Sequence, residues 1–251
     1  MTNKHAINKQ LTTHYSLLTK SAFTLAETLI VMGIIGVVAA LTLPNLNSST
    51  GDKEKIAKVK KVYSNLNDAI GRAQGVYGPI DEWFQKDTTA TAQATRFGSR
   101  IAEFLKVSKD CGVTINSSCF STGDYNTLKS KNGISNFNAL NTYYKVILAD
   151  GTSLAMHPEV SYNQIVFKFD IDGPNKGPNT AGKDLFHVDY FSDTDEFNPD
   201  TTITVCHNFG YTCLMWIVQH DNMDYLKADS SGKCTNNTSI TLDGTTNTTC
   251  K

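Results

Sequence analysis

One stretch limits what this chain can become: KSAFTLAETLIVMGIIGVVAALTLPNL, Lys20 to Leu46. From Phe23 to Leu43 it runs for 21 residues with Glu27 as its sole charge. At about 1.5 Å per residue that is roughly 31 Å of helix, close to the hydrocarbon thickness of a bilayer. A carboxylate inside such a segment is costly and marks a function by default. Lys4, Lys9 and Lys20 precede it without an acid, which favours a cytoplasmic N-terminus. Lys53, Lys55, Lys58, Lys60 and Lys61 follow it and weaken that argument.

The cysteines bear on the same question. All six, Cys111, Cys119, Cys206, Cys213, Cys234 and Cys250, lie downstream of the apolar segment. An even number on one side of a candidate span implies an oxidising compartment outside the cytoplasm. No Cys-x-x-Cys is present, which disfavours structural zinc. Of the 15 possible connectivities, nearest-neighbour closure is expected: Cys111–Cys119, Cys206–Cys213 and Cys234–Cys250. The last would tie down TNNTSITLDGTTNTT, a polar tail unable to offset its own ordering entropy. A loop of that size gains roughly 3 kcal/mol from closure.

Three readings of the apolar segment compete. As a secretory signal it would be cut after Val38-Ala39-Ala40, leaving Leu41 first; as a plain anchor it would stay attached. Neither gives Glu27 a role. The third rests on SAFTLAETLIVMGIIGVVAALTLP, which resembles the N-terminal segment of type IV pilins and type II secretion pseudopilins. The resemblance covers about 24 residues and implies cleavage by a prepilin peptidase between Ala22 and Phe23, with Phe23 then N-methylated. Glu27 becomes the fifth mature residue, where the family carries its glutamate. Pro44 falls where the family commonly has a proline. Two departures stand out: Ala22 replaces the usual glycine before the cut, and the 22-residue leader is long for the family.

The resemblance implies a fold and a set of partners. The fold class is α+β, with a long N-terminal hydrophobic helix packed on an antiparallel β-sheet and disulfides holding the head. The expected parts are a leader at 1–22, a transmembrane and filament-core helix at 23–44, its amphipathic continuation at 45–78 and a globular head at 79–251. The partners would be further pilin-like subunits in a helical filament, the prepilin peptidase, an inner-membrane assembly platform and membrane lipid before assembly. The precursor would be a single-pass protein of the bacterial inner membrane, and the product a periplasmic or cell-surface filament. The assembly residues would be Phe23, Glu27 and Pro44, with Glu27 pairing the terminal ammonium of a neighbouring subunit. A buried pair of that kind is tolerated only if both charges are matched, so it would set axial register.

Beyond Pro44, which should kink or end the helix, NLNSSTGD reads as a polar break. In residues 52–78, Ile56, Val59, Tyr63, Leu66, Ile70 and Ala73 recur at spacings of three and four, one apolar helical stripe. Asp52 is a candidate first-turn acid, and Gly75 or Gly78 a stop. A short helix is expected at Arg96–Val107. YYKVILADGTSLAM carries Asp150-Gly151 between two β-rich runs, a hairpin cue. NQIVFKFDID, DLFHVDYF and CLMWIVQ read as further strands, with Trp216 and Tyr225 as core residues.

Chemistry beyond the segment is sparse. DIDGPNKGPNTAGKD offers Asp170, Asp172, Asn175, Asn179 and Asp184 on a turning backbone, oxygen ligands that suit calcium. The spacing is not that of an EF-hand, and Asn and Asp also serve turns for local reasons. Some pseudopilins bind calcium beside the sheet, as the resemblance would imply. The six histidines are scattered, with no His-Glu-x-x-His, no nucleophile elbow and no phosphate loop, so no catalytic residue is assigned and no enzyme is expected. After the first 22 residues the body carries about four more acids than bases, which gives no electrostatic case for nucleic acid. The expected function is therefore a pseudopilin of a type II secretion system. The alternatives are a true pilin for adhesion, motility or DNA uptake, and a secreted calcium-dependent binding protein with an ordinary signal.

Overall fold

The computed structural model describes residues 24–84 and 89–251, with the side chains of all of these except residues 39–50. The chain divides at Asn47/Ser48 into two units. Helix α1, Leu25–Tyr77, has 53 residues and includes the boundary between them.

The apolar stripe read from the sequence forms the packed part of α1. Val59, Leu66, Ile70 and Ala73 are buried, as are Val62 and Ala69 beside them, while Ile56 and Tyr63 are partly covered. Spacings of three and four place such residues on one side of a 3.6-residue helix. Three lysines on this helix tie it to the head: Lys60 pairs with Asp221 at 2.7 Å, Lys61 with Asp150 at 2.9 Å, and Lys58 Nζ donates to the Ile171 carbonyl. Exposed pairs of this kind contribute at most about 1 kcal/mol each; their effect is to orient the helix. Gly78 ends α1 at φ +81°, its N–H donating to the Gln74 carbonyl at 3.0 Å. A glycine there avoids the Cβ penalty of the left-handed conformation.

Helix α2 spans Ala90–Ala102 and is capped by Thr89, whose hydroxyl accepts from the Ala92 N–H at 3.2 Å. It starts six residues before the helix expected at Arg96–Val107 and ends five residues before it. Six strands follow: β1 Val107–Gly112, β2 Tyr144–Leu148, β3 Ser153–Glu159, β4 Gln164–Asp170, β5 Leu185–Phe191 and β6 Glu196–Phe197. They pair in chain order, antiparallel throughout. The Asp150-Gly151 hairpin, β4 and β5 stand where the sequence placed them.

Register sorts the side chains into two faces. The inner rows Tyr144–Met156–Phe167–Val188 and Val146–Leu154–Phe169–Phe186 share one core with α1 and α2. The outer rows include Lys145–Ala155–Lys168–His187. Residues from the β1–β2 connection, among them Phe120, Tyr125 and Phe137, cover part of this face in a smaller core with Ala155 and Leu185. Asn138 organises that cover, its side-chain amide donating to the carbonyls of Ser117, Phe120 and Ser121.

After β6 the chain forms α3, Ile203–Phe209, and α4, Cys213–His220. CLMWIVQ is thus helix, not strand. Cys213 to Ile217 are all buried, and a run apolar on every side looks the same in sequence whichever element it forms. Trp216 and Tyr225 are fully buried core residues as expected.

The expected architecture needs a larger correction. The class is α+β with an antiparallel sheet, but no long apolar helix is found among the described residues. The helical residues on the sheet are the amphipathic ones from Val59 to Ala73. Among the described residues no helix is long and apolar enough to cross a membrane. The described apolar side chains from Leu25 to Val38 are all exposed.

Candidate functional site: the start of helix 1 and the 170–184 loop

Helix α1 opens with a reciprocal hydrogen-bonded box. The Thr24 N–H donates to Glu27 Oε2 at 2.9 Å and the Thr24 hydroxyl to the same oxygen at 2.8 Å. The Glu27 N–H donates back to Thr24 Oγ1 at 3.2 Å. These bonds satisfy backbone donors that the first helical turn leaves without a partner. The signature was present as Thr-Leu-Ala-Glu and was missed, because Glu27 had been weighed only as a charge in an apolar segment. Its carboxylate therefore has partners in its own chain, while Oε1 has none among the described residues.

Behind this cap the helix presents apolar side chains in every direction. Leu25, Met32, Ile30 and Val37 are 62–78% exposed, and the most covered of the large ones, Val31 and Val38, remain 53% exposed. A helix apolar all round is stable only when something covers it. Pro44 does not end α1, nor do the polar residues after it; the helix continues to Tyr77. Weak formers in mid-helix are carried by cooperativity once both flanks are helical. Asp52 accordingly lies within α1 and does not begin a helix. Ala22 and Phe23, the expected processing residues, lie outside the described residues.

Of the residues read as calcium ligands, Asp170 and Asp184 turn their carboxylates to donors of the chain itself, while Asn179 Oδ1 is buried without a partner among the described residues. Asp170 Oδ1 accepts from the N–H groups of Asp172 and Gly173 at 3.0 and 3.1 Å, and Oδ2 accepts from the Tyr125 hydroxyl at 3.2 Å. Asp184 Oδ1 accepts from Thr180 and Leu185 N–H, and Oδ2 from Asn179 N–H. Both aspartates have no exposed surface. Asn175 is exposed, and Asn179 adopts φ +52° at the turn. Among the described residues no group of three or more His, Cys, Asp or Glu could hold a metal ion. As they stand, Asp170 and Asp184 hold the turn, each carboxylate taken up by backbone N–H groups or the Tyr125 hydroxyl. Burial, with Asp184 nearby, pushes the Asp170 carboxyl up to about 7, and burial raises Asp184 as well.

The three disulfides are Cys111–Cys119, Cys206–Cys213 and Cys234–Cys250, the expected nearest-neighbour pairing. Such bonds belong to a compartment outside the cytoplasm. Cys206–Cys213 joins α3 to α4 and is fully buried. Cys234–Cys250 closes the C-terminal loop, where Asp243 Oδ1 accepts from the N–H groups of residues 245, 246 and 247. Compared with family models, with curated proteins and with solved structures, the chain shows no significant match.

Proposed function

We propose that this chain is a structural subunit of a type IV pilus-like filament, in the first instance a pseudopilin of a type II secretion system, that acts by assembly and not by reaction. The observation that carries the reading is the exposed apolar surface of Leu25–Val38 behind the Thr24–Glu27 cap, within the segment that resembles the pilin start. Like segments of other subunits would cover that surface, gaining roughly 25 cal/mol per Å² of apolar area removed from water. Glu27 serves first as a helix cap. Its second oxygen remains for the terminal ammonium of a neighbouring subunit, a charge-assisted hydrogen bond. The prepilin peptidase and an assembly platform are the partners the reading requires, and the filament would stand in the periplasm or on the cell surface.

The closed loop Cys234–Cys250 supports a second reading, a true pilin. Residues 235–239 and 245–247 are largely exposed, as in a loop displayed on a filament surface. Surface filaments seen by electron microscopy would favour the pilin, and exoproteins retained on deletion the pseudopilin.

Mass spectrometry of the N-terminal peptide of the native protein tests the shared core of both. The expected peptide begins at N-methylated Phe23. A start at Leu41 means an ordinary secreted protein, and an intact Met1 an unprocessed chain; either sinks the filament reading.

A further inference from the structure

The outer face of the sheet carries a polar and aromatic group that filament assembly does not use. Lys168 on β4 is directly opposite His187 on β5, and Val166 separates His157 on β3 from Asp189 on β5. His187 Nε2 lies 2.8 Å from Asp189 Oδ1. A carboxylate only accepts, so Nε2 carries the proton. Burial pulls the His187 pKa down and keeps the ring neutral. Its Nδ1 is then an acceptor, buried and without a donor among the described residues. The whole residue is 9% exposed.

Lys168 shows the complementary deficit. Its Nζ stands 5.0 Å from the Phe137 ring centre and 5.4 Å from that of Tyr143. Among the described residues no oxygen accepts a hydrogen bond from it. Tyr211, half-exposed, stacks on the His187 ring at 4.3 Å, and Phe209, 52% exposed, stacks on Tyr211 at 5.7 Å. The group therefore holds an unfilled donor on Lys168 and exposed ring surface beside the Asp189 carboxylate, while the buried His187 Nδ1 lies out of a ligand's reach.

Charge selects among the molecules that could use these. The Lys168 ammonium is offset by Asp189, the carboxylate that acts on it across the sheet. An anionic ligand would meet that carboxylate and a cation would meet Lys168, so neither sign is favoured. A hydroxyl accepts and donates at once, and an apolar C–H face suits exposed aromatic rings. Both are features of a neutral sugar. We propose that this patch is a binding site for a neutral carbohydrate. The sugar's C–H face rests on Tyr211 and Phe209, while adjacent hydroxyls accept from Lys168 Nζ and donate to Asp189 Oδ2. His187 is a positioning residue that orients the Asp189 carboxylate. The site does not depend on the filament reading.

The test applies the labelled full chain to an array of neutral and acidic oligosaccharides, alongside Lys168→Met and Tyr211→Ala. Thermal unfolding of each variant accompanies the binding curves, and the exposure of Tyr211 makes its variant the one certain to report on a folded protein. The expected result is saturable binding to a neutral glycan, weakened about tenfold or more in each variant, as loss of a charged hydrogen bond or a ring contact predicts. Retention of no neutral glycan, binding confined to acidic glycans, or undiminished binding in folded Tyr211→Ala would each overturn the proposal.

Discussion

Asp170 has no exposed surface, yet its carboxylate holds the turn that leaves β4 through two backbone N–H groups and the Tyr125 hydroxyl. Burial and the neighbouring Asp184 raise its pKa to about 7, from 3.8 for an unperturbed aspartate. A group with a raised folded pKa binds more protons in the folded than in the unfolded state between those two values. Ionisation is then the penalised step, so stability should fall as pH rises through that window and level off above about 7. The effect is of order a few kcal/mol. Urea unfolding between pH 4 and pH 8 should show this slope, and Asp170→Asn, which keeps an acceptor for the turn, should flatten it; an equal slope in the variant would assign the effect elsewhere. This residue also shows where sequence reading stops. The same Asp and Asn spacing serves a calcium loop or a self-bonded turn, and only the direction of the backbone N–H groups separates them. Glu27 differs, because its capping partner three residues earlier was legible all along.

At the scale of elements, close approach decides more than propensity. A Cβ built on Gly98 in α2 would lie 2.1 Å from Tyr144 Cγ and 2.2 Å from Tyr144 Cβ, the base of the side chain and not its flexible end. Alanine gains about 1 kcal/mol of helix propensity over glycine, but forcing atoms into a packed contact costs roughly 1–3 kcal/mol or more. Gly98→Ala should therefore destabilise the fold. Gly71 in α1 is exposed and has nothing within 4 Å of an added Cβ, so Gly71→Ala should stabilise it by nearly the full propensity difference. Urea midpoints of the two variants should move in opposite directions. The regular elements were readable where periodicity, turn chemistry or composition survives: the one-sided stripe of α1, the Asp150-Gly151 turn after β2, and the short β-branched and aromatic runs of β4 and β5. They were unreadable where periodicity is lost. Strand β1 has three consecutive exposed residues and two register shifts, and α4 is buried along its first five residues. Gly98 carried no signal, since its need arises from Tyr144, more than forty positions away.

For the whole molecule, the disulfides matter most where packing is thinnest. The sheet and α1 share a continuous apolar core, whereas the C-terminal loop adds little beyond Leu242, Cys234 and Cys250. Its other ties are polar: the Cys250 N–H donates to Asp224 Oδ2 at 2.8 Å, Asn236 donates to the Cys250 carbonyl, and Asp243 closes its own turn. A neutral hydrogen bond nets only about 1 kcal/mol, too little to order so polar a segment against its conformational entropy. The Cys234–Cys250 bond, with a sequence separation of 16, removes about 3 kcal/mol of freedom from the unfolded chain. Replacing both cysteines with serine should therefore lower the unfolding free energy by about that amount, and the urea midpoint by that amount divided by the m-value. It should also open the loop to protease at residues 235–249 while the sheet stays resistant, as expected when a locally weak unit opens before the global fold. Loss of the whole domain in one step would mean instead that the loop is part of the main cooperative unit, coupled to α4 through Asn222, whose side chain bonds both Trp216 and the Thr248 carbonyl.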